Sequence, residues 1–335
     1  EMRYRDAFNN TLRAELEYDK NVLIIGEDIS GGFDKKTKEP LDAWGGPFAA
    51  TKGLVQDFGT ERIMDAPISE AGFVGAAIGA ALTGLRPVVD LMYFDFTTVA
   101  FDQLLSNAAK SRYMFGGQTK VPLTLFARSG GGTGHAAQHS SAFYSILAHI
   151  PGLKVVTPTD PYSVKGLLSA AIRDDDPVFV VNDKKLINMT GFVPDEDYQI
   201  ELGKGRCLKE GSDITLVGMS YTTVVCQEAA EKLKEIGVDA EVIDLLSLSP
   251  LDEDIIIESV KKTNRIVIVD EDNPKASIAS EVAAIVSDKA FDYLDAPVKR
   301  VTAPHTPVPY SKELENEFMP DSDDVLQTVK NILDI

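Results

Sequence analysis

The chain has 335 residues, 44% of them hydrophobic and 25% charged, with 52 acidic against 33 basic side chains and a net charge of −19. That length exceeds one ordinary core and that composition supports a large one, so two packed domains are expected and wholesale disorder is excluded. The acidic excess argues against nucleic acid, because no basic stripe is present to release counterions, and against an anionic membrane.

Tyr4 to Tyr18 reads as an amphipathic helix rather than a signal peptide, and no apolar run reaches membrane-spanning length. A strand over Asn21 to Ile25 and a turn at Gly26-Glu27-Asp28 follow, then an exposed insertion from Ser30 to Pro47. A short strand, Arg62-Ile63-Met64, precedes Pro67, which should turn the chain. Apolar strands then recur at Val88 to Met92, Leu123 to Phe126, Lys154 to Thr157 and Val178 to Val181. Helices separate them at Gly72 to Thr83, Phe101 to Arg112 and Tyr162 to Ile172. Unalternated apolar strands between helices indicate a parallel sheet covered on both faces, an αβα three-layer domain.

Between Leu186 and Gly205 the pattern lapses into Asn, Gly, Pro and acidic residues. This divides the chain into a domain at 1–185, a linker at 186–205 and a second αβα domain at 206–335. The second series comprises Ile214 to Val217, a helix over Thr222 to Ile236, Ala240 to Ile243, Arg265 to Val269, a helix over Ile278 to Lys289, and Val298 to Thr302. The only cysteines, Cys207 and Cys226, fall in an apparent strand and an apparent helix without metal-type spacing. A reduced, cytoplasmic setting is the expectation.

Five segments carry candidate chemistry. In Asp65-Ala66-Pro67-Ile68-Ser69-Glu70-Ala71-Gly72 one carboxylate, Glu70, stands at the mouth of a Gly/Ala helix with few charges nearby. It is either a first-turn capping residue behind Ser69 or a partly desolvated acid inclined to hold a proton. The glycine-rich run Arg128-Ser129-Gly130-Gly131-Gly132-Thr133-Gly134-His135-Ala136-Ala137-Gln138-His139-Ser140 leaves a strand end, where open α/β sheets place ligands. It lacks the Lys-Ser/Thr ending of a phosphate loop and a dinucleotide fingerprint. His139 there is either a polar loop residue or a general acid/base. Asp90 to Phe96 carries three aromatics within four residues, which cannot all face inward. Asp174-Asp175-Asp176 puts negative charge where a helix should end, so it is either solvated or met by a cation. Ala303 to Tyr310 is a stiff surface segment suited to contact rather than catalysis.

Taken in order, Ile25-Gly26-Glu27-Asp28, Pro67 to Gly72, Ala136 to Ser140, Ile150-Pro151-Gly152-Leu153-Lys154-Val155 and Ser247-Leu248-Ser249-Pro250-Leu251-Asp252 span the whole chain. The chain resembles, from end to end, the β subunit of the thiamine-diphosphate-dependent first component of 2-oxo acid and acetoin dehydrogenase complexes. The resemblance implies a transketolase-type pyrimidine-binding domain followed by a transketolase C-terminal domain. It also implies that Glu70 hydrogen-bonds the cofactor's aminopyrimidine and favours its imino tautomer, the protein's aid to chemistry that belongs to the cofactor. Ile68, Met92 and Phe96 match positions packing around the pyrimidine, and His139 matches a histidine at the substrate end. Leu123, Ala171, Ile172, Asp174 and Asp176 fall where some relatives hold a structural potassium ion.

The chain has no Gly-Asp-Gly followed by an Asn at the spacing that binds the diphosphate through a divalent metal. By resemblance, an α subunit supplies those ligands and the magnesium, in an α2β2 heterotetramer that serves a lipoyl-bearing acyltransferase. Pyruvate-cleaving relatives carry an Arg-Gly-Pro-Asn-Gly-type loop, whereas this chain has Arg128 to His135. The stretch Asp42 to Gly46, with Arg112 to Gly117, Asn188 to Gly191 and Ala303 to Tyr310, is more similar to acetoin dehydrogenase β subunits, and acetoin, having no carboxylate to neutralise, tolerates the departure in the loop. Acetoin is the expected substrate, with pyruvate or a branched 2-oxo acid next and a non-catalytic scaffold third.

Overall fold

The unbroken apolar runs form parallel strands, and the intervening segments supply the helices that cover them. The computed structural model describes residues 1–31 and 44–335, so most of the insertion read at Ser30 to Pro47, including Asp42 and Ala43, lies outside the described residues. In chain order the first half comprises β1 (Met2–Arg3), α1 (Tyr4–Tyr18), β2 (Val22–Gly26), α2 (Leu54–Phe58), β3 (Ile63–Asp65), α3 (Glu70–Leu82) and β4 (Arg86–Tyr93). A π-wound stretch, Gln103–Ala108, runs into α4 (Ala109–Met114). Then come β5 (Thr124–Ser129), α5 (Ser145–Ala148), β6 (Lys154–Val156), α6 (Pro161–Arg173), β7 (Val178–Asp183) and β8 (Thr190–Gly191).

The second half comprises β9 (Arg206–Lys209), β10 (Ile214–Gly218), α7 (Tyr221–Glu235), β11 (Ala240–Asp244), β12 (Ser247–Ser249) and α8 (Glu253–Thr263). It continues through β13 (Ile266–Asp270), α9 (Ile278–Lys289), β14 (Lys299–Thr302), α10 (Lys312–Phe318) and α11 (Ser322–Leu333). Local chemistry explains the boundaries. Asp160 and Ser163 form a capping box with Pro161 at the first position of α6, and Asp321 and Asp324 do the same for α11. Each such cap is worth about 0.5–2 kcal/mol. Helix α8 ends where Asn264 turns left-handed, with Lys261 and Lys262 in its last turn.

The first sheet runs β12-β6-β7-β5-β4-β2-β3 and the second β14-β13-β10-β11-β9. Two pairings cross the boundary read from sequence. Strand β12, from the second half, completes the first sheet antiparallel to β6. Strand β8 lies inside the segment read as linker and returns to pair with β1, Met2 opposite Gly191. One apolar cluster also runs through both halves, joining Val89, Leu125 and Val155 to Val217, Ile243 and Ile268. A second cluster packs α1 on α6, with Tyr4, Phe8 and Leu12 against Val164 and Leu167. Glu15 is buried there and accepts from Arg173 at 2.8 Å and from Ser169 at 2.7 Å. No helix among the described residues is long and apolar enough to cross a membrane.

Candidate active site at the sheet switch point

The first sheet determines where a ligand can enter. Strands β2, β3, β4, β5 and β7 are mutually parallel, so their carboxyl ends share one edge. The chain places β3 outside β2 on one side and β4, β5 and β7 on the other. The order therefore reverses between β2 and β4, and the crevice beyond that point is the favoured binding position in an open α/β sheet. Glu27, Glu70, Met92 to Phe96, the histidine loop and Asp183 to Lys185 all lie just past these strand ends.

Glu70 opens α3, one residue after the N-cap Ser69, and is only 7% exposed. Ser69 makes no side-chain capping bond, and no hydrogen bond or ion pair among the described residues reaches the Glu70 carboxylate. Glu70 is an acidic first-turn residue of α3 that bonds no first-turn amide, so any help it gives the helix is through the dipole alone. Glu27, just beyond β2, shares this environment: its Oε1 is buried without a partner. Burial first, then the charges of Glu70, Asp28 and Asp90, hold its pKa above the ordinary carboxylate range. Asp90, paired with Gly26 across β2 and β4, is pushed up to about 6, chiefly by desolvation, with Arg128 opposing. Gly26 is required for this closeness, since a Cβ there would stand 2.7 Å from the Asp90 carbonyl oxygen.

The three aromatics at the end of β4 and in the turn that follows it divide as the spacing demands. Phe94 is fully buried, while Tyr93 and Phe96 are half-buried and face the crevice. Met92 adopts φ +60 and donates its amide to Asp90 Oδ1 at 2.8 Å, at a register shift that re-aims the strand end. Tyr93 is the hub of a ring cluster: His139 lies 4.5 Å from it, Phe48 5.3 Å, Phe96 5.6 Å and His135 5.8 Å between centroids. His139 also meets Phe96 edge-on at 5.5 Å. Ile68 stands apart from this cluster and is 85% exposed. Sequence reasoning names Phe96 and His139; it quotes Glu27 in the Ile25 to Asp28 segment and Tyr93 in the aromatic run without giving either a role, and it misses Phe48.

The glycine-rich loop has a use that its sequence did not disclose. Its amides are bonded to carboxylates from the second half: Gly131 donates to Glu271 Oε1 at 2.5 Å, and Gly132 to Glu315 Oε1 at 2.7 Å. Thr133 and Gly134 donate to Glu315 as well, at 3.2 and 2.9 Å. The glycines thus admit side chains from both halves of the chain. A Cβ on Gly131 would lie 2.8 Å from Met319 Sδ, and one on Gly132 2.7 Å from Lys185 Cε. Lys184 donates to the His139 carbonyl and, at 3.3 Å, to Ser140 Oγ. Burial lowers the Lys184 pKa, and burial followed by Lys184 lowers that of His135. Glu271 is held well above the ordinary range by burial and then by Asp183, with which it shares a hydrogen bond.

The acidic run closes α6 against the protein's own cations. Asp174 pairs with Lys154 at 2.6 Å, Asp175 with Arg86 at 3.0 Å, and Asp176 with Arg112 at 2.6 Å. Arg86 Nη1 also donates to the carbonyls of Ile172 and Asp174, while those of Leu123 and Ala171 accept backbone amides. Asp174 and Asp176 also meet directly, the Asp176 amide donating to Asp174 Oδ1 at 2.8 Å. Arginine and lysine already meet their charge, so a potassium ion is not needed to account for them.

The transketolase pyrimidine-binding domain family matches residues 1–190, and the transketolase C-terminal domain family matches residues 203–325. The chain is 51% identical to the acetoin:2,6-dichlorophenolindophenol oxidoreductase subunit beta of Bacillus subtilis (strain 168), over 98% of this chain and 96% of the relative. It is 40% identical to a pyruvate dehydrogenase E1 component subunit beta of Rickettsia felis, covering 98% and 97%. Among solved structures it is similar to a split gene transketolase, described as an inactive beta4 tetramer, with a TM-score of 0.75 over 99% of this chain and 98% of the other. At 23% identity that likeness concerns the fold.

Proposed function

We infer the activity from one premise: the chain belongs to the β-subunit family of acetoin and 2-oxo acid dehydrogenases, built from a transketolase pyrimidine-binding domain and a transketolase C-terminal domain. It is the β subunit of a thiamine-diphosphate-dependent acetoin dehydrogenase, an oxidoreductase that works with an α subunit. The observation that carries the active-site reading is Glu70, a buried residue whose carboxylate has no partner among the described residues, at the switch-point crevice.

Fit to the cofactor can be judged at that crevice. A lone buried acceptor, a neighbouring acid of raised pKa and half-buried rings suit an aminopyrimidine, which presents ring nitrogens and a flat face. When bound, thiamine diphosphate supplies a nucleophilic carbon that can split the bond between the two oxygen-bearing carbons of acetoin. Glu70 holds a ring nitrogen by a charge-assisted hydrogen bond and sets where its proton resides. Glu27, protonated more readily than a free carboxyl, keeps negative charge at the crevice down. Met92, Phe96 and Ile68 bind the ring faces. His139, fixed by Lys184 through its carbonyl and by Tyr93 and Phe96 through its ring, holds or delivers a proton at the substrate oxygen.

The remaining parts belong to other chains. The α subunit brings the magnesium and diphosphate ligands in an α2β2 assembly, and a lipoyl-bearing acyltransferase takes the two-carbon unit, in the cytoplasm. Acetoin suits the histidine loop because it has no carboxylate, and the amides of Gly131 to Gly134 are already bonded to Glu271 and Glu315.

Co-expression with the partner α subunit and assay of dye reduction tests this. Turnover of acetoin well above pyruvate is expected. Faster pyruvate turnover would make the chain a 2-oxo acid dehydrogenase subunit, and an intact cofactor-loaded tetramer that turns over neither would remove the catalytic reading.

A further inference from the structure

We propose that Glu315, on α10 of the second half, is a positioning residue that clamps the histidine loop of the first half. The proposal rests on the function assigned above and names a residue which that function does not require.

The loop has three anchors, of different reach. Its base is closed where Gly130 donates to the Ser141 carbonyl at 3.3 Å and Ser141 Oγ donates to Asp95 Oδ1 at 2.5 Å. Its descending limb is held where Lys184 donates to the His139 carbonyl. Between these, the amides of the tip are bonded, among the described residues, to the carboxylates of the second half. Glu271 takes one amide, whereas Glu315 takes three in succession, from Gly132, Thr133 and Gly134. Successive amides turned toward one point form a concave nest for an anion, and the chain's own carboxylate fills it.

Two features show that this contact is built in. Glu315 is only 2% exposed, and α10 is seated by a small apolar cluster of Ala303, Phe318 and Met319 with Val308 against it. Gly132 and Gly134 have φ +78 and +74, conformations that glycine adopts without strain. The clamp reaches the histidines directly, because Thr133 Oγ1 lies 2.9 Å from His135 Nδ1 and His135 packs on the Tyr93 ring that also holds His139. Glu315 touches no substrate. Its effect is to fix the loop tip, and with it the rings that carry the histidines, from the other domain.

The test compares Glu315→Ala and Glu315→Gln in the assembled enzyme. Glutamine keeps the Oε1 acceptor that serves all three amides, so it serves as the conservative rescue. Hydrogen exchange at Gly132, Thr133 and Gly134 is expected to quicken in the order wild type, Gln, Ala. The kcat for acetoin is expected to fall in the same order, by about tenfold for Ala, with KM and cofactor affinity changed less than about twofold. Unchanged exchange in the Ala variant, or faster exchange with unchanged kcat, would overturn the clamp. If Ala does not assemble, Gln against wild type decides by the same two readings. The exchange measurement needs no substrate, so it decides the clamp even where absence of wild-type acetoin turnover defeats the assigned function.

Discussion

Two groups of carboxylates stand on the same edge of the first sheet and are treated in opposite ways. At the switch point, Glu70 is 7% exposed and makes no bond among the described residues, and the Oε1 of Glu27 is buried without one, beside an Ile68 that is 85% exposed. At the histidine loop, Glu271 and Glu315 are buried with every loop amide from Gly131 to Gly134 bonded to them. An unbonded buried acid is costly to a chain standing alone, by about 1–3 kcal/mol or more. On the function proposed above, its retention is the place left for a ligand and a second chain. The saturated acids mark where the chain completes itself. Charge and burial alike, the two groups differ in what their surroundings leave for a partner to do.

That contrast can be broken experimentally, and the largest effect is expected at the unbonded end. Glu70→Gln should lower acetoin turnover by roughly a hundredfold or more in the assembled enzyme, the range for a positioned acid or base. Its unfolding temperature should hold, because no bond among the described residues is lost. Near-normal turnover would return Glu70 to a structural role.

The saturated end should respond to pH with a definite sign. The folded state holds the Glu271 proton to higher pH than the unfolded chain does, so its contribution to stability is fully present below the ordinary carboxylate range. That contribution is lost as pH rises from there through the folded value. Each pH unit between the two costs about 1.4 kcal/mol. Glu271→Gln, which mimics the protonated form, should flatten that decline in denaturant melts between acid and neutral pH. A slope identical to wild type would show that the proton lies elsewhere. The smallest effect belongs to the rings: Phe96→Leu should weaken cofactor binding by about 0.5–1.5 kcal/mol, a few-fold rise in Kd measured by titrating thiamine diphosphate into the tetramer.

Much of this architecture is legible in the residues themselves, for a local reason. Runs such as Val178 to Val181 and Ile266 to Val269 are apolar on both faces, and such strands have no place except under two helix layers. Helix α1 is bounded as its periodicity indicates, and α9 likewise, with Ser277 capping it. What escapes is non-local. Ser247-Leu248-Ser249 is too short to declare a strand, and its partner Val155 and Val156 lies far back in the chain. Thr190 and Gly191 become a strand only because Met2 and Arg3 lie beside them.

The site divides in the same manner. Glu70 and His139 stand in motifs that the family resemblance makes readable, and Phe96 in an aromatic run whose spacing forces one ring outward. Glu315 and Glu271 sit in ordinary acidic stretches, and nothing near them in sequence points to a glycine-rich loop more than a hundred residues away. The glycines themselves suggest a ligand's approach, and what approaches is the chain itself, Met319 of the second half at Gly131 and Lys185 of the first at Gly132.

Strand β12 has a bearing on how the protein is made. On a ribosome, the first half can fold its parallel strands as soon as β7 emerges, but the outer face of β6 stays open until residues 247–249 follow. An open strand edge recruits any extended segment within reach, including one from a neighbouring nascent chain. Truncating the gene at the linker, a natural way to seek a smaller pyrimidine-binding module, would therefore make that transient exposure permanent. The module would precipitate even though each of its own strands is intact.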